Sequence, residues 1–255
     1  MATQELTRKR RRTWLGEAWE SNVGKKVIVA ITGFVLVAYV ILHMVGNLTA
    51  LQGPDGGSPR IDEYGHWLRE FGTPLLPYSF VLWVIRVVLL AALIVHVVGV
   101  FQLAKRSSAA RPKGHPGKRI GRSISSMTMR ISGPLLLAFV IFHILQFTTL
   151  TIDVTPLREG AIYENLYGAF QKWYFVLLYV AAVSALMFHL HHGVWSAFQS
   201  LGADRPARNR ALRLTSATVA VVVAVGFVLI PIFMWTGVLA EPITTHAQTA
   251  LEVAR

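Results

Sequence analysis

The sequence predicts an all-α membrane protein with five transmembrane helices, four of which form a bundle with the fifth at its periphery. Hydrophobic residues make up 53% of the 255 residues, and charged residues make up only 15%. A soluble domain carries about 25% charged residues. The formal net charge is nevertheless +12. A nucleic-acid-binding protein would account for the charge but not for the apolar composition, so the chain is predicted to bind no nucleic acid.

Five apolar stretches are long enough to cross a bilayer, which requires about 20 residues of helix. Because unpaired backbone groups in lipid cost several kcal/mol each, all five are predicted to be helical. They divide the chain into an N-terminal arm (1–26), a transmembrane domain (27–239) and a C-terminal tail (240–255). The predicted spans are Val27–Leu51, Ser79–Ala104, Ile131–Leu150, Trp173–Phe198 and Leu214–Leu239.

The distribution of positive charge predicts the orientation. Of 25 Lys and Arg residues, 19 lie in segments 8–26, 105–130 and 205–213, which five spans place on one side of the membrane. By the positive-inside rule this side is cytoplasmic, and the chain is predicted to be a multi-pass protein of the inner membrane. The same cations can also bind anionic lipid or an acidic partner.

The N-terminal sequence argues against a cleavable signal peptide, and the absence of cysteine excludes cysteine chemistry. Arg8–Arg12 lead into a polar stretch without a small-residue cleavage site, so no cleavable signal peptide is predicted. The count of cysteines is 0. Disulfides, thiol chemistry and iron–sulfur ligation by this chain are therefore excluded.

Histidines occur in the first four of the five spans, and four of them each sit in a different span. They are His43, His96, His143 and His189. Ionisable groups inside membrane helices are costly and usually functional. His43 and His143 come late in helices that run outward, whereas His96 and His189 come late in helices that run inward. The sequence therefore predicts two pairs of imidazoles at two depths, as two b-type haems in a helix bundle require.

The first and third spans share a hydroxyl–Gly dipeptide before their histidines. Thr32-Gly33 precedes His43 and Ser132-Gly133 precedes His143 at an offset of one hundred residues. This repeat predicts equivalent helices that contribute to the same haem, with each Gly leaving room for the porphyrin. Three glycines follow span histidines on the same helical face, namely Gly46, Gly99 and Gly193. Each is a candidate either for leaving room for a haem or for allowing close helix packing.

The fourth span offers a second candidate ligand, since His191 and His192 follow His189. His189 and His192 share a helical face and differ in depth by about 4.5 Å. Counting back from the polar boundary near Gly202 favours His192 as the partner of His96.

Three motifs carry a resemblance to a known family. Segments Ser21–Lys26, His43–Leu48 and His189–Gln199, with the span count and loop sizes, resemble the five-helix, di-haem cytochrome b anchor of succinate:quinone oxidoreductases. In that family the span-four ligand commonly stands four residues before the motif glycine, which points to His189. The resemblance implies a proximal haem on His96 and His189 and a distal haem on His43 and His143.

The resemblance also implies partners and an electron path. A cytoplasmic flavoprotein subunit would interconvert succinate and fumarate, and an iron–sulfur subunit would pass electrons through the anchor to menaquinone or ubiquinone. The anchor would thus belong to the enzyme without holding its flavin. A higher oligomer of the complex, the direction of turnover and its electrogenicity are left open by the sequence.

Two arginines are further candidates. Arg86 is expected to pair with a distal haem propionate, with a quinone oxygen or with lipid headgroups. Arg130 is expected to serve a proximal propionate or to contact the iron–sulfur subunit. The outer segment Glu63–Glu70 is expected either to cover the distal haem or to be an ordinary interfacial helix.

Two alternative functions remain at this point. One is a di-haem cytochrome b that anchors a hydrogenase or a formate dehydrogenase, which would share the haems but differ in its docking loops. The other is a transporter or proton channel that uses the membrane histidines without haem.

Overall fold

A computed structural model describes residues 13–54, 58–110, 124–152, 157–203, 205–206 and 209–242. Within these residues the chain is helical and contains no strand. Five of its helices are long and apolar enough to cross a membrane. The basic residues 8–12, most of the basic loop (111–123) and most of the predicted C-terminal tail (243–255) lie outside the described part.

The described residues form five long helices and three short ones. They are α1 Trp14–Glu20, α2 Asn22–Leu48, α3 Arg60–Glu70, α4 Phe80–Ala109, α5 Ile124–Phe147, α6 Ile162–Phe170, α7 Trp173–Ser200 and α8 Asn209–Trp235, with a 3₁₀ turn at Thr49–Gln52 after α2. Each long helix extends past its predicted apolar stretch at one end, whereas α2, α5 and α8 end three or four residues before the predicted boundary at the other end.

The first span begins five residues before the predicted boundary because its start is fixed by a cap. The side chain of Ser21 accepts a hydrogen bond from the Gly24 N–H at 2.8 Å. Such a cap satisfies one of the otherwise unpaired amides at a helix start. The helix can therefore form through polar residues that contribute nothing to the hydrophobic signal.

α2 and α7 form the centre of the bundle. α2 packs against α4, α7 and α8, and α5 packs against α7. α8 lies along both α2 and α7, where Gly226 lets the side chain of Met44 approach its backbone. Two clusters of buried apolar residues result, one around Met44 and Val223 and one around Tyr179 and Met234.

The outward surfaces of the long helices are apolar. On α4, Val87 is 61% exposed and Phe101 is 60% exposed. A continuous exposed apolar surface of this kind is unfavourable in water and is expected where a protein faces lipid. The chain is a multi-pass membrane protein.

The two sides of the bundle differ in their connecting elements. We call the side on which α2 begins the N-terminal side and the other the far side. On the N-terminal side, the buried ammonium of Lys25 bonds the Gln102 side chain and lies 4.8 Å from the centre of the Trp19 ring. Arg106 of α4 donates to the Glu20 carbonyl oxygen at 2.7 Å. These contacts hold α1 against α2 and α4.

On the far side, a side chain of α3 caps the start of α6, although the two bonded residues are 101 positions apart in the sequence. Asp62 Oδ1 accepts a hydrogen bond from the Tyr163 N–H at 2.9 Å, at the start of α6. Burial raises the pKa of the Asp62 carboxyl, although backbone hydrogen bonds from Tyr163 and Ile162 oppose that shift. Burial also raises the pKa of the Tyr163 hydroxyl, which donates to the Ala240 carbonyl oxygen at 2.8 Å.

Candidate functional site

His43 of α2 and His143 of α5 face each other in the part of the bundle nearer the far side. Their ring centroids are 5.8 Å apart and the ring planes meet at 79°. Tyr39 stacks on His43 at 5.4 Å, one helical turn earlier on α2. Phe139 and Phe147 lie 5.9 Å and 5.8 Å from His143, one turn to either side of it on α5. The pair is thus enclosed by aromatic rings.

The imidazole of His143 has a polar partner on α7. Its Nδ1 atom lies 3.1 Å from the Tyr179 hydroxyl. That hydroxyl donates to Oε1 of Gln146 at 2.8 Å. Gln146 is completely buried, and its Nε2 atom has no hydrogen-bond partner within the described chain.

His96 of α4 and His189 of α7 form a second group nearer the N-terminal side. The Nδ1 atom of His96 lies 3.2 Å from the Val29 carbonyl oxygen and 3.4 Å from the Thr32 hydroxyl. The Nδ1 atom of His189 lies 3.4 Å from the Ser132 hydroxyl. His96 and His189 are close enough for their charges to interact.

The two pairs lie at different levels of the bundle. His96 packs against Gly33, which precedes His43 by ten residues on the same helix. His189 contacts Ser132, which precedes His143 by eleven residues. At 1.5 Å of rise per residue, either helix gives a separation of about 15 Å between the levels. The repeated hydroxyl–Gly dipeptides therefore lie beside the histidines of the other pair, not beside those that follow them in sequence.

His189 and His192 have different surroundings. His189 contacts Ser132 and interacts with His96. The ring of His192 lies 6.0 Å from that of Trp195, and its buried Nδ1 atom has no hydrogen-bond partner within the described residues. The structure thus brings His189, the residue that the family motif points to, next to His96.

The donor set fits two b-type haems. A histidine that ligates iron through Nε2 needs a partner for Nδ1, which fixes the tautomer and the ring orientation. His96, His143 and His189 each have such a partner on a neighbouring helix. Within the described residues no group of three or more ligating side chains occurs. Iron in a porphyrin needs only two axial ligands, so paired imidazoles match its requirement. The Nε2 atom of His43 is 3.5 Å from the Asn47 amide nitrogen, at the limit of a hydrogen bond.

The glycines near the histidines have separate roles. A Cβ atom at Gly33 would lie 3.3 Å from Cε1 of His96, whereas one at Gly133 would lie 4.0 Å from Cε1 of His189. At Gly46 a Cβ atom would overlap the Tyr64 ring, and at Gly99 it would overlap Val29. Gly46 and Gly99 therefore serve helix packing. A Cβ atom at Gly193 meets nothing within 4 Å.

The two arginines lie at opposite ends of the bundle. The guanidinium of Arg86 lies 5.1 Å from the centre of the Trp83 ring on the far side. It also lies near Tyr39, which stacks on His43. Arg130 is exposed near the start of α5, two residues before Ser132.

On the far side α3 lines an open cleft of about 600 Å³, in which His66 Nδ1 lies 3.4 Å from Glu70 Oε2.

Sequence reasoning missed four residues around the far pair, namely Tyr39, Gln146, Tyr179 and Phe227. Phe227 of the histidine-free α8 lies 5.8 Å from His43. Gln146 alone carried a usable signal, because an amide within an apolar span must find hydrogen-bond partners. The three aromatic residues are ordinary in such spans, and only the packing of neighbouring helices reveals their contacts.

Comparisons with known proteins give one family match. Residues 108–230 match the family described as Succinate dehydrogenase/Fumarate reductase transmembrane subunit. The matched region contains α5, α6, α7 and most of α8, and with them His143 and His189. His43 and His96 precede it. No curated protein and no solved structure matches the chain.

Proposed function

We propose that the chain, whose residues 108–230 match the family of succinate dehydrogenase/fumarate reductase transmembrane subunits, carries electrons through two b-type haems. The haems would connect an iron–sulfur subunit to membrane quinone. A flavoprotein subunit would complete the complex and interconvert succinate and fumarate. This chain would belong to the enzyme as its membrane anchor, without a flavin or dicarboxylate site of its own.

The observation that carries the proposal is the arrangement of the four span histidines in two pairs about 15 Å apart along the bundle. One pair has ring centroids 5.8 Å apart. In the other, His96 beside Gly33 and His189 beside Gly133 are near neighbours. A transporter that uses histidines singly has no need of two imidazole pairs, each with partners that orient the rings.

The residues of the chain hold and insulate the proposed cofactors. Bound haem supplies reversible one-electron chemistry at iron. His43 and His143 would ligate the distal haem, and His96 and His189 the proximal one. Thr32 and Ser132 orient the proximal imidazoles through Nδ1. Around His143, Phe139 and Phe147 exclude water and lower the local dielectric constant, which is one means by which proteins set haem potentials.

The charge distribution supports a cytoplasmic N-terminal side. Nineteen of the 25 Lys and Arg residues lie in sequence segments that the order of five spans assigns to that side. The flavoprotein and iron–sulfur subunits would dock there, next to the proximal haem. Arg130, two residues before Ser132, would meet a proximal propionate or the iron–sulfur subunit. Arg86 would meet a distal propionate or a quinone oxygen.

The test is purification of the chain from its native membrane, followed by spectroscopy and identification of the chains that co-purify. We expect dithionite-reduced b-type absorption bands, two haems per chain, and flavin and iron–sulfur partners with succinate:quinone activity. A chain that lacks b-type bands would refute the haem proposal. Bands with hydrogenase or formate dehydrogenase partners would refute the assignment to succinate and fumarate.

Single substitutions assign the haem ligands. His189→Ala is expected to remove one haem, and His192→Ala, as the matched control on the same helix face, is expected to retain both. The opposite result would exchange the roles of these two residues. Gly33 and Gly133 are proposed to border the proximal haem through the ligands they contact.

A further inference from the structure

The Tyr179 hydroxyl connects a proposed haem ligand to a buried amide. It lies 3.1 Å from His143 Nδ1 and 2.8 Å from Gln146 Oε1. Tyr179 is only 8% exposed, and Gln146 is 0% exposed. The Tyr179 ring packs against the rings of Phe139, Phe147, Phe170 and His143, whose centroids lie 5.0–6.0 Å from its own. Both distances are those of direct hydrogen bonds without a bridging water.

The direction of these two hydrogen bonds decides which nitrogen of His143 is free. A phenol hydroxyl has one proton to donate. When Tyr179 donates it to Gln146 Oε1, its oxygen can only accept from His143, which must then carry its proton on Nδ1. A neutral imidazole with a proton on Nδ1 has its lone pair on Nε2. That lone pair is the one available to iron.

If Gln146 presented its amide nitrogen instead, the hydrogen bonds would reverse. Tyr179 would accept from Gln146 and donate to His143 Nδ1, and the proton of the imidazole would move to Nε2. Ligation through Nε2 therefore fits the orientation of Gln146 in which Oε1 faces the hydroxyl. The amide oxygen of this buried side chain thus acts on the iron ligand through one intervening hydroxyl.

We propose that Tyr179 is a positioning residue for the distal haem, which fixes the tautomer of His143 and sets its basicity, with Gln146 as the acceptor that orients the hydroxyl. The inference rests on the proposed function, since it requires His143 to be a haem ligand. It assigns to α7 a role at both levels of the bundle, because the same helix carries His189.

The proximal ligands have different partners. His96 is within 3.2 Å of a backbone carbonyl oxygen, that of Val29, and His189 is 3.4 Å from the Ser132 hydroxyl. A partner that accepts the Nδ1 proton raises the basicity of the ligand, which favours ferric iron. Removal of the Tyr179 hydroxyl is therefore expected to shift the midpoint potential of the distal haem to more positive values and to leave that of the proximal haem unchanged.

The first test is Tyr179→Phe, which keeps the aromatic ring and removes only the hydroxyl. The matched control is Tyr174→Phe, an exposed tyrosine on the same helix. We expect both variants to keep two haems per chain, and only Tyr179→Phe to shift one of the two waves in a redox titration and one of the two low-spin ferric EPR signals. Two unshifted waves and signals in Tyr179→Phe would overturn the inference.

A second variant tests the inference from the side of the acceptor. Gln146→Leu removes the acceptor, so the Tyr179 proton can go only to His143 Nδ1, in competition with ligation through Nε2. We expect Gln146→Leu to lose part of one haem, and the double variant with Tyr179→Phe to recover it. A loss in Gln146→Leu that the second substitution does not reverse would contradict the inference. Absence of both haems from the wild-type chain would instead refute the proposed function.

Discussion

A substitution of Gly33 by Ala tests the packing of α2 against the His96 ring. The new Cβ atom would lie 3.3 Å from Cε1 and 3.5 Å from Nδ1 of His96. Carbon atoms pack best at about 3.5–4.0 Å, so the ring must move by a few tenths of an ångström. That movement acts directly on the 3.2 Å contact between His96 Nδ1 and the Val29 carbonyl oxygen.

Two opposing energies decide the size of the effect. Replacing Gly by Ala inside a helix stabilises it by about 0.8–1.0 kcal/mol. Overpacking a close-packed site costs about 1–3 kcal/mol. Gly33→Ala is therefore expected to be neutral or to destabilise the protein by up to about 2 kcal/mol. At Gly133 the nearest atom to a new Cβ is 4.0 Å away. Gly133→Ala is therefore expected to stabilise the helix without a cost from overpacking.

The assay is thermal unfolding of the detergent-solubilised protein together with its reduced haem spectrum. Since about 1 kcal/mol shifts the Tm of a chain of this size by about 2–4 °C, the two variants should be separated by several degrees. We expect the proximal haem bands to change in Gly33→Ala and to stay unchanged in Gly133→Ala. Equal behaviour of the two variants, or haem loss in Gly133→Ala, would refute the packing argument and favour porphyrin clearance at both glycines.

Further substitutions address the far side and the proximal ligands. Asp62→Ala removes the cap of α6 and is expected to destabilise the chain by about 1 kcal/mol in thermal unfolding; Asp62→Asn keeps an acceptor oxygen. Because burial raises the pKa of the Asp62 carboxyl, the ionised form is the disfavoured one, so Asp62→Asn should be at least as stable as wild type at neutral pH. A lower Tm for Asp62→Asn than for Asp62→Ala would contradict this reasoning. Ser132→Ala removes the partner of His189 and should alter the proximal haem bands alone; a change confined to the distal bands would exchange the two pairs.

The five spans and the pairing of the histidines by depth could be predicted from the sequence because both follow from hydrophobic length and chain direction. The helix ends could not. α4 continues through Lys105 and Arg106 to Ala109, and α5 starts at Ile124, seven residues before the predicted span. A membrane span predicts only the part of a helix inside lipid, whereas the backbone hydrogen bonds continue into the polar region.

The contacts of the candidate site could be predicted only in part. The repeat of Thr32-Gly33 in Ser132-Gly133 marks a site, but the sequence assigns it to the histidines that follow on the same helices. Those histidines are about 15 Å further along the axis, beyond reach of the hydroxyls. The contacts with His96 and His189 depend on the register of neighbouring helices, which no single-helix pattern contains. The same holds for Tyr179, which reaches His143 across the α5–α7 interface.

The central claim is that His43 and His143 hold one haem and that His96 and His189 hold the other. Haem content per chain in double variants tests it most directly. Substitution of both histidines of one pair, His43→Ala with His143→Ala, is predicted to leave one haem per chain. Substitution across the pairs, His43→Ala with His96→Ala, is predicted to leave none. One haem retained in the cross-pair variant, or none in the same-pair variant with the protein still folded, would contradict the account.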